Sequence, residues 1–265
     1  GELRNLKMHN NYLQSQTISM METLTGARLG AKQHFISVLE SEGILDRDLE
    51  QLPHDDELNR RRVSGLGLTR PELSVLLSYS KIMLYRKLLD SDVPEDPWLS
   101  GELQRYFPVP LQERYGKYMD GHRLKREIIA TQVTNSLVNR MGASFATRMH
   151  DDTGASAAEI VRAFAIAREI LRAREYWKAI EALDNKVDSK LQIDAMLVMW
   201  KLLRQTTRWV LNQPGNNLDI KASVELLGPG LKVLEKKIKR SLSNEEKQAV
   251  QERAEPLLEG GIDRK

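Results

Sequence analysis

The stretch GLTRPELSVLLSYSKIMLYRKLL, residues 67–89, predicts an α-helix with a well-defined start. Thr69 can cap the helix with its hydroxyl group, Pro71 supplies a suitable backbone angle to the first turn, and Glu72 can complete a capping box. Apolar side chains then recur at helical spacing on one side, and further apolar residues cover a second side. We therefore expect a buried helix, with Leu76 and Leu77 in the core.

The rest of the chain shows the same helical periodicity, and no sustained alternation of apolar and polar residues indicates a strand. Further helices are predicted at about 3–24, 27–42, 55–63, 111–119, 123–140, 156–171, around 177–183, 189–211, 218–242, and after a capping residue at Ser243. The sequence therefore predicts an all-α fold, a multi-helix bundle without a sheet.

Two proline-containing segments are expected to interrupt the helices. Pro94, Pro97, Pro108 and Pro110 lie close together and forbid one long helix there. This segment is the predicted hinge between two helical lobes, residues 1–107 and 108–265, with one continuous domain as the alternative. Residues 228–230, Gly-Pro-Gly, are expected to kink or split the helix at 218–242.

Composition is that of a soluble globular protein, with 265 residues, 41% hydrophobic and 29% charged side chains. The net charge of +3 is a weak field that does not by itself argue for a nucleic-acid partner. No stretch approaches the roughly 20 consecutive apolar residues of a membrane-spanning helix, so no membrane partner is expected. The absence of cysteine fits a reducing compartment, and we expect a cytoplasmic location. The start, Gly-Glu-Leu-Arg without an initiator Met, suggests a piece of a longer protein.

Three stretches carry a resemblance to a known family. They are NYLQSQ at residues 11–16, the helix at 67–89, and KREIIATQVTNSLVNRMG at 125–142. In this order they resemble the carboxyl-terminal region of the large, bacterial NAD-specific glutamate dehydrogenases, over about residues 3–183, and the resemblance fades after about Asn185. It implies a non-catalytic helical accessory domain of an oxidoreductase that converts L-glutamate to 2-oxoglutarate and ammonia with NAD. Its expected role is assembly, interdomain docking or regulation.

The same resemblance implies that NAD binds elsewhere in the parent enzyme and that this region holds no cofactor. Gly65 and Gly67 form only a G-x-G with no preceding strand, whereas a dinucleotide site needs a strand, a glycine-rich turn and a helix. No residue matches the family's catalytic lysine. We therefore assign no catalytic, cofactor or metal residue, and we expect the partners to be the remaining domains of the parent enzyme and other subunits.

Polar side chains on two helices are the candidate contacts with these partners. Gln132, Asn135 and Asn139 follow the spacing i, i+3, i+7 and so line one helix face, where amides can form an interfacial network. Solvent exposure of the amides is the alternative. The predicted interdomain contacts are Asn11, Tyr12, Gln14, Gln16, Arg126, Gln132, Asn135, Asn139 and Arg140.

One alternative function is a stand-alone helical HD-type metal phosphohydrolase. His122, the His150-Asp151 pair and Asp219 follow its order of ligands, and two imidazoles with two carboxylates could hold divalent metals and activate water. Against this, the His150-Asp151 pair lies at the end of a predicted helix rather than on a packed one. Convergence of His122, His150 and Asp151 would favour this alternative.

A second alternative is a nucleic-acid-binding helical module, suggested by the segment KVLEKKIKR at residues 232–240. Its basic side chains are Lys232, Lys236, Lys237, Lys239 and Arg240. The segment lacks aromatic residues for base stacking, and six acidic residues follow it between Glu245 and Asp263. We therefore favour a solvated helix face and expect no nucleic-acid partner.

Overall fold

The computed structural model of the chain describes residues 2–24, 28–215 and 217–260, without the side chains of residues 2–7 and 239. All regular structure in these ranges is helical, which confirms the predicted all-α fold. The helices are α1 Glu2–Thr23, α2 Leu29–Ser41, α3 Asp55–Val63, α4 Arg70–Leu89, α5 Gly101–Tyr106, α6 Val109–Met119, α7 Lys125–Met141, α8 Phe145–Thr153, α9 Ala157–Ile170, α10 Ala173–Glu181, α11 Ser189–Leu211, α12 Ile220–Ser241 and α13 Asn244–Glu259, with a 3-10 turn at Val93–Glu95.

Helix α4 starts where its sequence predicts. Thr69 and Glu72 form the capping box, in which the Thr69 N–H donates to Glu72 Oε2 over 2.6 Å. The same carboxylate accepts from Arg61 Nη1 on α3, at 3.0 Å and 2.9 Å to its two oxygens. The start of α4 is therefore held both by its own first turn and by a charged partner from the preceding helix.

The chain divides into two compact units, Gly1–Val161 and Arg162–Lys265. In the first unit, α4 and α7 pack against each other and α1 packs against both. The α4 side chains Leu76 and Leu77 are 0% and 3% exposed, which confirms that both belong to the core. From α7, Ile129 and Leu137 contribute buried apolar side chains. The burial of apolar surface along α4 and α7 is the main stabilising term of this unit.

In the second unit, α10 and α13 both pack against α11. Helix α11 has the bounds that its sequence predicts, and the Asp188 carboxylate caps it by accepting from the Lys190 N–H over 2.8 Å. Leu203 and Val210 are fully buried along this helix, and Trp200 is nearly so. The long apolar stripe of α11 is thus the centre of the second unit.

One feature of the proline-containing segments differs from the expectation. Helix α12 continues unbroken through Gly228-Pro229-Gly230, so the predicted split is wrong. Pro229 removes one backbone N–H from the helix, and because it is exposed, solvent can bond to the carbonyl oxygen that loses its partner. The flanking glycines leave space around the proline ring.

The division into two helical lobes, residues 1–107 and 108–265, stays a prediction. Within the described residues, no helix has both the length and the apolar character needed to cross a bilayer.

Candidate docking surface

The two helices that carry the predicted contacts, α1 and α7, lie against each other. Gly142, which follows α7, has φ +83°, a backbone conformation that a side chain would strain. A Cβ at this position would also lie 3.2 Å from Met21 Cγ on α1. The glycine therefore ends α7 and lets the last turn of α1 approach closely.

Asn139 belongs to this internal contact, although its position in the amide stripe predicts an interdomain role. The residue is 3% exposed, and its Nδ2 donates to Asn10 Oδ1 on α1 over 2.9 Å. The Thr17 hydroxyl hydrogen-bonds to the Asn139 carbonyl oxygen and also to the Leu13 carbonyl oxygen at 2.8 Å. Asn139 therefore ties α7 to α1, and any contact with another domain must be made by its neighbours.

The sequence contains a signal for this contact that the amide stripe alone does not reveal. On α1, Asn10, Leu13, Thr17 and Met20 recur at i, i+3, i+7 and i+10, which is the spacing of one buried helix face. Thr17 and Met20 are buried in the structure. Polar residues within such a stripe indicate that α1 pairs with a polar position on another helix.

The other predicted contact residues retain some exposure. Asn11 and Arg126 are exposed, while the remaining six are half-buried: Tyr12, Gln14, Gln16, Gln132, Asn135 and Arg140. Arg126 has partners within the chain, since its Nη2 donates to the Leu89 carbonyl oxygen over 2.7 Å and its guanidinium pairs with Glu95. It joins the start of α7 to the end of α4 and to the 3-10 turn. The structure thus places α1 and α7 against each other, and docking through these residues stays a prediction.

The residues that the phosphohydrolase alternative would use as metal ligands each contact a different group. His122 Nδ1 accepts from a backbone N–H two residues on, at 3.1 Å, and His150 Nδ1 lies 2.9 Å from a backbone carbonyl oxygen five residues on. Asp151 pairs with His34 over 3.2 Å, and Asp219 caps α12. Among the described residues, no group of three or more His, Asp or Glu side chains is placed to hold a metal ion. The geometry therefore gives the phosphohydrolase alternative no support.

The basic segment at 232–240 lies on α12, where its described side chains are exposed. The side chain of Lys239 lies outside the described residues. Glu235, within this segment, is 3.4 Å from the Tyr176 hydroxyl and 4.0 Å from Arg172 Nη1. Acidic and basic groups are therefore mixed on this face, which differs from the continuous positive groove of a nucleic-acid interface.

An open cavity of about 610 Å³ lies beside this segment in the second unit. Its lining includes three carboxylates and two cations, and the complete set is Glu169, Ile170, Arg172, Glu175, Val224, Glu225, Gly228, Pro229 and Lys232. The Arg172 guanidinium lowers the pKa of the Glu175 carboxyl by a side-chain hydrogen bond. Arg172 pairs with Glu175, and the lining carries both signs of charge, so the cavity does not present one sign of charge to a ligand.

Gly65 and Gly67, which precede α4, form the second candidate position for phosphate binding. At the start of α4 the Thr69 N–H donates to the Glu72 carboxylate, which also binds Arg61, and the Thr69 hydroxyl accepts from the backbone N–H of Glu72. A carboxylate at this helix end competes with any other anion for the same amides and the same positive end of the helix dipole. The local chemistry of residues 65–72 is thus that of a capped helix joined to α3.

The described residues thus define the class of protein region: an all-helical region of two compact units. The chain belongs to the family described as "Glutamate dehydrogenase, C-terminal", whose sequence profile matches residues 65–265.

Similar proteins extend this match over nearly the whole chain. The chain is 42% identical over 98% of its length to an NAD-specific glutamate dehydrogenase of Halomonas elongata, and 39% identical over 97% to one of Pseudomonas aeruginosa. A Mycobacterium tuberculosis protein of the same name is 28% identical over 98% of the chain. In each case the chain spans only 16% of the relative's length. The similarity thus continues beyond Asn185. The sequence motifs do not reveal this part of the match, because amphipathic helices carry few distinctive motifs.

Proposed function

We propose that the chain is a carboxyl-terminal accessory region of a large NAD-specific glutamate dehydrogenase, an oxidoreductase that converts L-glutamate to 2-oxoglutarate and ammonia. The proposal rests on how much of each sequence the match covers. Relatives with this name match 97–98% of the chain, yet the chain spans only 16% of their length. The remaining 84% of such a protein offers ample room for the catalytic and nucleotide-binding domains.

In this proposal, NAD and glutamate bind outside residues 1–265. The capped start of α4 supports this, because the Thr69 N–H already donates to the Glu72 carboxylate, the Glu72 N–H donates to the Thr69 hydroxyl, and Pro71 has no N–H. The mixed charges of the cavity beside α12 support it as well. A dinucleotide pyrophosphate needs free backbone amides at a helix start, and neither place offers them in that form.

The proposed role is to support assembly, interdomain docking or regulation of the enzyme. The partners are its remaining domains and other subunits, and the proposal includes neither nucleic acid nor a membrane. The polar residues that α1 and α7 leave accessible, among them exposed Asn11 and half-buried Gln132 and Asn135, are candidates for such contacts. A cytoplasmic location fits the absence of cysteine in the chain.

Deletion of this region from the full-length polypeptide tests the proposal. Turnover would be followed by NADH formation from L-glutamate and NAD, and the assembly state by light scattering after size exclusion. We expect the truncated protein to lose its assembly state or to change in turnover, while residues 1–265 alone show no turnover. A truncated protein with an unchanged number of subunits and unchanged kinetics would contradict the accessory role. Turnover by residues 1–265 alone would contradict the non-catalytic assignment.

A further inference from the structure

Helix α6 exposes an apolar stripe that its own unit does not cover. Leu111, Tyr115 and Tyr118 recur at i, i+4 and i+7, so they lie on one face of the helix. They are 40%, 42% and 64% exposed. All eleven residues of α6 are described, and Met119 alone among them is buried. A helix usually turns such a stripe towards a core, and here the stripe faces outward.

The helix nevertheless has a fixed position in the first unit. Gln112 Nε2 donates to the Phe107 carbonyl oxygen over 2.7 Å, which ties α6 to the segment before it. The Phe107 ring lies 5.1 Å from the Tyr106 ring and 5.6 Å from the His122 ring, measured between centroids. The Phe107 ring before α6 thus contacts the His122 ring after it in a tilted arrangement, so the outward stripe belongs to an anchored helix rather than to a loose end.

Two basic side chains border the stripe, whereas the exposed Glu113 lies two positions before Tyr115 and thus on another side of the helix. Asp120, just after the helix, pairs with Lys125 over 3.7 Å. The Arg114 guanidinium lies 5.3 Å from the Tyr115 ring centroid, and Lys117 Nζ lies 5.0 Å from that of Tyr118. Arg123 is also exposed, just after the helix. Tyrosine and arginine are the residues that most often dominate protein–protein contacts, because they combine a large apolar surface with polar groups. This composition fits a protein partner with apolar pockets and carboxylates at its edge.

We propose that the face of α6 formed by Leu111, Tyr115 and Tyr118, with Arg114 and Lys117 at its edge, docks on an acidic surface of the full-length enzyme outside residues 1–265. This rests on the proposed function, because it requires the longer polypeptide. Two observations identify the partner surface. Relatives are about six times longer than this chain, so most of such a polypeptide lies outside residues 1–265. The basic side chains at the edge of the face favour a partner surface with carboxylates.

A second copy of this chain fits the face less well. A two-fold contact brings the same surface patch of both copies together, so a basic edge would meet a basic edge. Like charges in a desolvated contact oppose association and disfavour that partner. A membrane surface would also accept aromatic and basic side chains, but the apolar stripe here spans only two turns of one helix.

Photocrosslinking in the full-length polypeptide tests the proposal. p-Benzoylphenylalanine would replace Tyr115 or Tyr118 one at a time, with the same label at Val63 as a control on an exposed position of α3. We expect labels at 115 and 118 to crosslink to peptides outside residues 1–265, and Lys117→Glu to reduce that yield by roughly tenfold. Crosslinks to residues 1–265 of a second copy, or no crosslink at either position, would overturn the proposal.

A vesicle assay separates the membrane alternative. Full-length protein would be sedimented with phosphatidylserine–phosphatidylcholine vesicles, with and without the combined Tyr115→Ala and Tyr118→Ala changes. We expect no sedimentation that depends on these tyrosines, and tyrosine-dependent sedimentation would overturn the proposal.

The deletion and crosslinking results are independent of each other. If deletion of the region changes turnover or assembly but the labels at 115 and 118 find no target, the docking face is wrong and the accessory role stands. If the labels reach the rest of the polypeptide but deletion has no effect, the docking face is right and the accessory role is wrong.

Discussion

The buried lysine of α2 offers a sharp test of the structure. Lys32 is 4% exposed, and its Nζ donates to the Met21 carbonyl oxygen in the last turn of α1 over a long 3.4 Å. Burial, and secondarily the positive charge of Arg28, lowers the pKa of Lys32 from 10.5 to about 8. We predict that Lys32→Met stabilises the chain at pH 7, although the change removes a hydrogen bond.

The size of the effect follows from the pKa difference between the folded and unfolded states. At roughly 1.4 kcal/mol for each pKa unit, the gap between 10.5 and about 8 corresponds to a cost of about 3 kcal/mol for the charged Lys32 in the folded state. The unfolded chain binds more protons than the folded chain between these two values, so stability rises with pH across that interval. Below pH 8 the full cost remains. Subtracting about 1 kcal/mol for the lost hydrogen bond leaves a net gain of about 2 kcal/mol at neutral pH.

Urea unfolding of the wild-type chain and the variant at pH 7 and pH 10 measures this gain. We expect Lys32→Met to be more stable at pH 7 and nearly equal to wild type at pH 10, where most of the cost has disappeared. Lys87→Met is the matched control, because Lys87 is exposed and pairs with Glu42 over 2.7 Å, an interaction worth about 1 kcal/mol or less. A Lys32→Met variant that is less stable by the same amount at both pH values would show that the ammonium group is solvated and would refute the reasoning.

Three further changes test the fold and the α1–α7 contact by chemical denaturation of the isolated chain. Leu76→Ala should lower the free energy of unfolding by about 2 to 5 kcal/mol, because it removes buried apolar surface and leaves a cavity. Ile82→Ala, at a 40% exposed position of the same helix, should lower it by less than about 1 kcal/mol, and equal losses would mean that α4 turns a different side to the core. Thr69→Ala should cost about 1 kcal/mol and Thr69→Ser much less, and an unchanged midpoint for the alanine variant would place the helix start elsewhere. Asn139→Ala should lower the free energy of unfolding by about 1 to 3 kcal/mol, and Asn135→Ala by less than about 0.5 kcal/mol. The reverse order would show that Asn139 does not contribute to the α1–α7 contact.

Features that depend on local chemistry could be predicted from the sequence. The start of α4 follows from Thr69 and Glu72, and the start of α13 follows from Ser243 and Glu246, which form a second capping box. Helix α11 ends before a Pro-Gly pair, as helices usually do. In each of these cases the interacting groups lie within a few residues of each other, so a single sequence is sufficient.

Features that depend on packing between distant segments could not be predicted in the same way. The spacing of the amides predicts that Asn139 belongs to an exposed stripe. In the structure Asn139 is buried, because it contacts Asn10 and Thr17, which lie more than 120 residues earlier in the chain. Lys32 lies in an amphipathic helix and gives no local sign that its ammonium group is buried. Conversely, Leu111 and Tyr115 have the spacing of a buried stripe but are exposed. Periodicity shows that a helix has an apolar face, and it does not show whether the partner lies in the same chain.

The central claim is that cofactor binding and catalysis lie outside this region of the enzyme, and calorimetric titration with NAD tests it most directly. The titration would be performed on residues 1–265 and, in parallel, on the full-length polypeptide under identical conditions. The account predicts saturable binding by the full-length polypeptide and no saturable heat for residues 1–265. Micromolar binding of NAD to residues 1–265 would contradict it, because such an affinity, about 8 kcal/mol, requires a phosphate-binding site within these helices.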